Sequence, residues 1–165
     1  MKKIPKIIKI GISILIPLII GFLGGIFTSK SVSSWYPKLK KPPFNPPNWL
    51  FAPVWTILFV LIGISFYFVW NKNFGNNRKT KILCLTVYSI QLLFNFLWSI
   101  LFFGLRNAFL AFIEIIILWF LIVTNIIIFY KVSKISAYLL FPYLIWVSFA
   151  SVLNWFIMML NLVKT

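Results

Sequence analysis

Charged residues in this chain are confined to short clusters. The stretches between them, 10–29, 42–71, 82–105, 107–130 and 135–163, carry no charge except Glu114 in the fourth. A helix needs roughly 20 mostly apolar residues to cross the hydrocarbon of a bilayer, and each stretch supplies them. The pattern predicts an all-α membrane protein: a five-transmembrane-helix bundle forming one domain over 1–165. Its helices are expected near 8–29, 50–71, 82–104, 107–130 and 135–160, with a lid loop at 30–49. A composition that is 62% hydrophobic, 20% aromatic and 10% charged agrees with a bilayer as solvent. Lys2, Lys3, Lys6 and Lys9 ahead of the first stretch also resemble the start of a secretory signal. That apolar core is too long for a signal and no small-x-small site follows it, so the first helix is expected to be retained.

The net charge of +15 follows from topology. With the N-terminus inside, 10 Lys and Arg fall on the inner side and 6 on the outer, which predicts the N-terminus in and the 30–49 connection and C-terminus out. The basic clusters suit the anionic headgroups of membrane lipids. A contiguous basic face with base-stacking aromatics is missing, so no nucleic-acid partner is expected.

Six of the nine prolines lie between Pro37 and Pro53, interleaved with aromatic residues. Each fixes its own φ and restricts the residue before it, so this stretch is expected to be a stiff, shaped cover and not a helix. Less conformational freedom is lost when such a segment orders. Trp35, Pro42, Phe44, Pro46, Pro47 and Trp49 are the lid residues this reading selects.

The chain has no His, one Cys (Cys84) and one acid (Glu114). A Ser-His-Asp relay, a His or Cys metal site, haem held by His or Cys, and an internal disulfide are therefore excluded within one chain. No metal is expected, and no obligatory cofactor. Several buried acids, as many proton-coupled transporters use, are also lacking.

Three helices carry polar and aromatic stripes. Gln91, Asn95, Trp98 and Phe102 recur on one face of the third, and polar groups at that depth should point into the bundle. They either join neighbouring helices or donate to a bound ligand. Pro142, Trp146, Ala150 and Asn154 form a stripe on the fifth, where a ring beside a small residue leaves space, or where the small residue lets helices approach. Trp55 and Phe59 add two rings below the proline stretch. Gly21 and Gly25 form a G-x-x-x-G that serves packing within the bundle or pairing of two chains. Glu114 is an intramembrane acid, hence a functional hypothesis by default, and Arg106 lies about 12 Å away along a helix, long for a direct pair.

Trp35-Tyr36, Leu39-Lys-Lys-Pro42, Phe44-Asn-Pro46-Pro47-Asn-Trp49 and Pro53-Val-Trp55 resemble the first-loop signature of the translocator protein family, also called tryptophan-rich sensory proteins or peripheral-type benzodiazepine receptors. Gln91-Leu-Leu-Phe-Asn95-Phe-Leu-Trp98, Asn107-Ala108 and Leu140-Phe-Pro142-Tyr143-Leu-Ile-Trp146 through Ala150 to Asn154 resemble its third, fourth and fifth helices. The resemblance covers residues 10 to 162 in unbroken order. It implies a bundle that pairs as a homodimer and binds porphyrins such as protoporphyrin IX, or isoquinoline and benzodiazepine compounds. By position Tyr36, Trp55, Phe59, Asn95, Trp98, Trp146, Ala150 and Asn154 would line the pocket. The sterol motif of animal members is absent after Asn154, which argues against cholesterol as the native guest.

Two alternatives accompany this binding reading. One is enzymatic, a light- and oxygen-dependent breakdown of bound porphyrin, in which Trp55 and Trp146 would be the residues that act. The other is transport of tetrapyrroles or lipids, ranked lowest because paired half-helices and an ion site are missing. The Ile, Lys, Asn and Phe bias points to a bacterial cell membrane.

Overall fold

The computed structural model describes residues 5–75 and 77–162. Lys2, Lys3 and Lys164, which contribute to the charge balance above, lie outside them. The chain forms α1 (Lys6–Val32), a short 3-10 turn (Tyr36–Lys38), α2 (Asn48–Trp70), α3 (Arg78–Ser99) running on as a π-helical turn (Ile100–Gly104), α4 (Ala108–Val132), α5 (Lys134–Leu139) and α6 (Phe141–Leu162). Among the described residues five segments are long and apolar enough to span a membrane, with α5 and α6 together making the fifth. The protein is an all-α membrane bundle.

Side-chain caps start the later helices. Asn77 Oδ1 accepts from the Thr80 amide at 3.1 Å ahead of α3, and Asn107 Oδ1 accepts from Leu110 at 3.0 Å ahead of α4. Each satisfies one of the donors a helix start leaves unpaired. Arg106, in the tight turn before α4, takes the left-handed conformation at φ 55°.

Proline acts differently from the expectation in two places. The rule that excludes helix from the whole of 37–53 fails at its end, because α2 begins at Asn48 and takes in Pro53. Near a helix start the missing amide costs one bond, the one Trp49 would have accepted, and Trp49 is 71% exposed. Conversely, the fifth span is not one helix. Pro142 cannot bond back to Tyr138, and the chain breaks at Leu140, whose amide turns to Ala137 at 3.1 Å.

The core lies between α2, α3, α4 and the α5–α6 pair, where Ile62, Leu118, Ile122, Phe129, Tyr143 and Val147 are fully enclosed. Phe66 stacks on Tyr88 at 4.2 Å. Ser65 and Ser136 exchange hydroxyl-to-carbonyl bonds at 2.7 and 2.8 Å, joining α2 to α5. In contrast, α1 sits at the periphery and buries only Ser13, Pro17, Gly24 and Ser31. Small residues let its backbone approach the bundle while its large side chains face lipid.

The two halves of the G-x-x-x-G part company. A Cβ on Gly21 would stand 2.2 Å from the Phe59 ring, so this glycine is used within the chain. Gly24 takes the next close contact, against Ser99, and a Cβ on Gly25 would meet nothing within 4 Å.

Candidate functional site

A cavity of about 580 Å³ lies among α1, α2, α3 with its π turn, α4 and α6. All eight residues selected from the sequence border it: Tyr36, Trp55, Phe59, Asn95, Trp98, Trp146, Ala150 and Asn154.

Three indoles come from three helices. Trp55 stacks on Phe59, one turn below it on α2, at 5.6 Å and turns its edge to Tyr143 at 6.2 Å. Trp98 stacks on Phe102 at 5.1 Å, and its Nε1 donates to Asn154 Oδ1 at 3.1 Å. Asn154 Nδ2 donates in turn to the Ala108 carbonyl at 2.8 Å, so α3, α6 and the start of α4 are tied at one level. Trp146 meets Phe51 and Phe149 edge-on or tilted, and its buried Nε1 has no hydrogen-bond partner among the described residues. Ala150 follows one turn later and contributes only a methyl to the wall. Offset and edge-to-face contacts of this kind are the arrangements aromatic rings favour.

The polar stripe divides its work. Asn125 Nδ2 donates to Gln91 Oε1 at 2.8 Å, Gln91 Nε2 donates to the Tyr143 hydroxyl at 3.2 Å, and Asn95 Nδ2 donates to the same hydroxyl at 2.8 Å. Gln91 is thus spent on joining helices and lies outside the lining, whereas Asn95 stands at the cavity end of the chain. Sequence reasoning missed Asn125. It sits three turns from Glu114 on the same buried face of an otherwise apolar helix, and that spacing was the available signal.

Glu114 is 4% exposed, and neither carboxyl oxygen has a hydrogen-bond partner among the described residues. Its neighbours Ile115 and Leu118 border the cavity but Glu114 does not, and Arg106 is exposed.

The connection between α1 and α2 lies across the loop-side ends of α3 and α6. Trp35 and Tyr36 press on Phe102, Tyr36 also on Phe103, and Phe44 meets Phe156 at 5.3 Å. Asn161 holds both backbone groups of Lys40, at 3.1 and 2.9 Å. Pro42 is buried and Pro46 half-buried, while Pro47 and Trp49 are exposed. Phe102 and Phe103, both buried, belong to the π turn that ends α3.

Tyr36 donates its hydroxyl proton to Asn45 Oδ1 at 2.7 Å, beneath the Lys41 ammonium at 4.4 Å from its ring. Burial pushes this hydroxyl from 10.0 up to about 12, with the Asn45 bond pulling back in part. The folded state therefore holds the proton more tightly than the unfolded chain. Its contribution is complete below pH 10 and is lost as pH rises toward 12. Proteolysis at Lys38 to Lys41 should accelerate across that window, and Tyr36→Phe should remove the Tyr36 share of the pH dependence.

The sequence matches the TspO/MBR family over residues 13–160. It is 48% identical to the "Tryptophan-rich protein TspO" of Archaeoglobus fulgidus, over 94% of this chain and 99% of that one. It is 42% identical to the protein of the same name from Chlorobaculum tepidum, over 94% and 98%. It is 36% identical to the "Translocator protein" of Bos taurus, over 86% and 83%.

Proposed function

Since the chain belongs to the TspO/MBR family, we propose that it is a membrane receptor for flat, largely apolar guests of the tetrapyrrole type, held among the indoles of Trp55, Trp98 and Trp146. The observation that carries this reading is the convergence of those three rings, from three helices, on one cavity. Its volume of about 580 Å³ lies within the range of small-molecule sites. Planar conjugated guests gain roughly 0.5–1.5 kcal/mol per favourable ring contact beyond the burial of area. Lys38 and Lys40 are exposed on the connection, beside Lys41, and suit the carboxylates that porphyrins carry.

The lining contains no carboxylate, Lys or Arg among the described residues. We assign the protein to a bacterial cell membrane, a placement that the match to the Chlorobaculum tepidum protein supports.

Titration of the protein in lipid nanodiscs with protoporphyrin IX should quench tryptophan fluorescence saturably. Trp146→Ala should weaken binding by about tenfold or more, since removing one stacked ring forfeits at least about 1.4 kcal/mol. Unchanged affinity in both Trp146→Ala and Trp98→Ala would remove the cavity from the binding event.

A further inference from the structure

The exposed part of the cavity's lining lies on one side. Every exposed member of its lining belongs to α1, to Ser33 just beyond it, or to α2; examples are Phe22, Gly25 and Ser29 on one helix and Ala52 and Thr56 on the other. The contributions of α3, α4 and α6 are buried or half-buried.

Three glycines trace how the opening arises. At Gly63 an added Cβ would stand 2.6 Å from both Ile14 Cα and the Ser13 carbonyl oxygen, so α1 and α2 touch backbone to backbone there. Two turns nearer the loop, Gly21 meets the Phe59 ring. One further turn along, nothing lies within 4 Å of the Gly25 position. The seam between the helices is closed at its base and parts between Gly21 and Gly25.

The depth of this slit matters. Lys30 is the last charge of α1 on the loop side, and Phe22 lies about 12 Å further in at 1.5 Å per residue. The headgroup layer adds only about 5–8 Å on each side of a bilayer, so the lower part of the slit opens onto hydrocarbon.

We propose that this slit between α1 and α2 is the way into the cavity, and that the guest is a molecule already dissolved in the bilayer which enters sideways. This rests on the binding reading above and adds the source of the guest and its path. An apolar edge leads through a rim of Phe22, Gly25 and Ala52, where water would gain nothing, while the seated connection can stay in place.

Gly25→Phe tests the path, because a Cβ there meets nothing within 4 Å among the described residues and the ring it carries is added at the slit. In stopped-flow quenching with protoporphyrin IX in nanodiscs, association and dissociation should both slow by roughly tenfold. Phe22→Ala, which removes a 73%-exposed ring from the rim, should speed both. Wild-type binding with unaltered rates in both variants overturns the path alone. A loss of affinity in Gly25→Phe carried only by faster dissociation also overturns it, since the ring would then be competing inside the site. Absence of saturable quenching in the wild type would remove the binding reading and the path with it.

Discussion

Ala150→Phe is expected to reduce protoporphyrin affinity by about 100-fold or more, equivalent to about 2.7 kcal/mol, while the bundle remains folded. Ala150 is 8% exposed and borders the cavity between Trp146 and Asn154, one turn to either side. A benzyl group attached there has two places to go. Directed between helices it would strain a close-packed core, at a cost of about 1–3 kcal/mol. Directed into the void it buries apolar surface that the alanine leaves unfilled, which offsets that cost, and it occupies the space a planar guest would take. Thermal unfolding in the same nanodiscs separates the outcomes: a midpoint near that of the wild type with binding lost assigns the effect to filled space. Retained affinity at a retained midpoint would mean that the guest binds elsewhere. Trp146→Ala changes the same neighbourhood in the opposite sense, enlarging the cavity and removing a ring, so the pair distinguishes lost contact from lost room.

The five spans were legible because lipid leaves a chain with long uncharged stretches little choice. Backbone groups must satisfy one another inside the segment, and the charges mark where it stops. The cavity was legible on α3 and α6 for a related reason. Asn95, Trp98 and Asn154 are unfavourable toward hydrocarbon, so a helical period carrying them must face inward. What stayed hidden was decided by pairs of helices. Gln91 and Asn95 look equivalent on one stripe, and only the positions of Asn125 and Tyr143 assign the first to structure and the second to the cavity edge. The end of α3 was equally hidden: the Leu105 amide reaches back five residues to Ile100 at 2.7 Å and opens a π turn, which no spacing in the sequence announces. Two readings met at Pro53, a non-helical stretch over 37–53 and an apolar helix from 50, and the second holds because the effect of a proline depends on its distance from the helix start. The glycine pair was ambiguous for the same reason as the amides: sequence spacing set Gly21 against Gly25, whereas contact with α2 and α3 falls on Gly21 and Gly24.

Gly63→Val should be the most damaging single change in the bundle outside its large core residues, and for reasons confined to backbone geometry. The Cβ that any substitution adds would lie 2.6 Å from Ile14 Cα and from the Ser13 carbonyl oxygen. Neither is the end of a flexible side chain, so relief requires α1 to move bodily away from α2. The Ser13 carbonyl has no helical donor of its own, because Pro17 occupies the position that would have supplied one. Separation of the helices would widen the gap around a carbonyl that Pro17 leaves without its usual amide. Overpacking of this kind costs about 3 kcal/mol, and valine adds two methyl groups to the obstruction. The expected result is a lowered unfolding midpoint together with loss of protoporphyrin binding, because α1 forms one wall of the cavity and its contact at Gly63 closes the base of the slit. Gly11→Ala is the matched control: its Cβ would meet nothing within 4 Å, and removing a mid-helix glycine stabilises by roughly 0.5–1 kcal/mol. Equal unfolding midpoints for the Gly63 and Gly11 variants would show that α1 is not held by this contact, and the closed base of the slit would then need another cause.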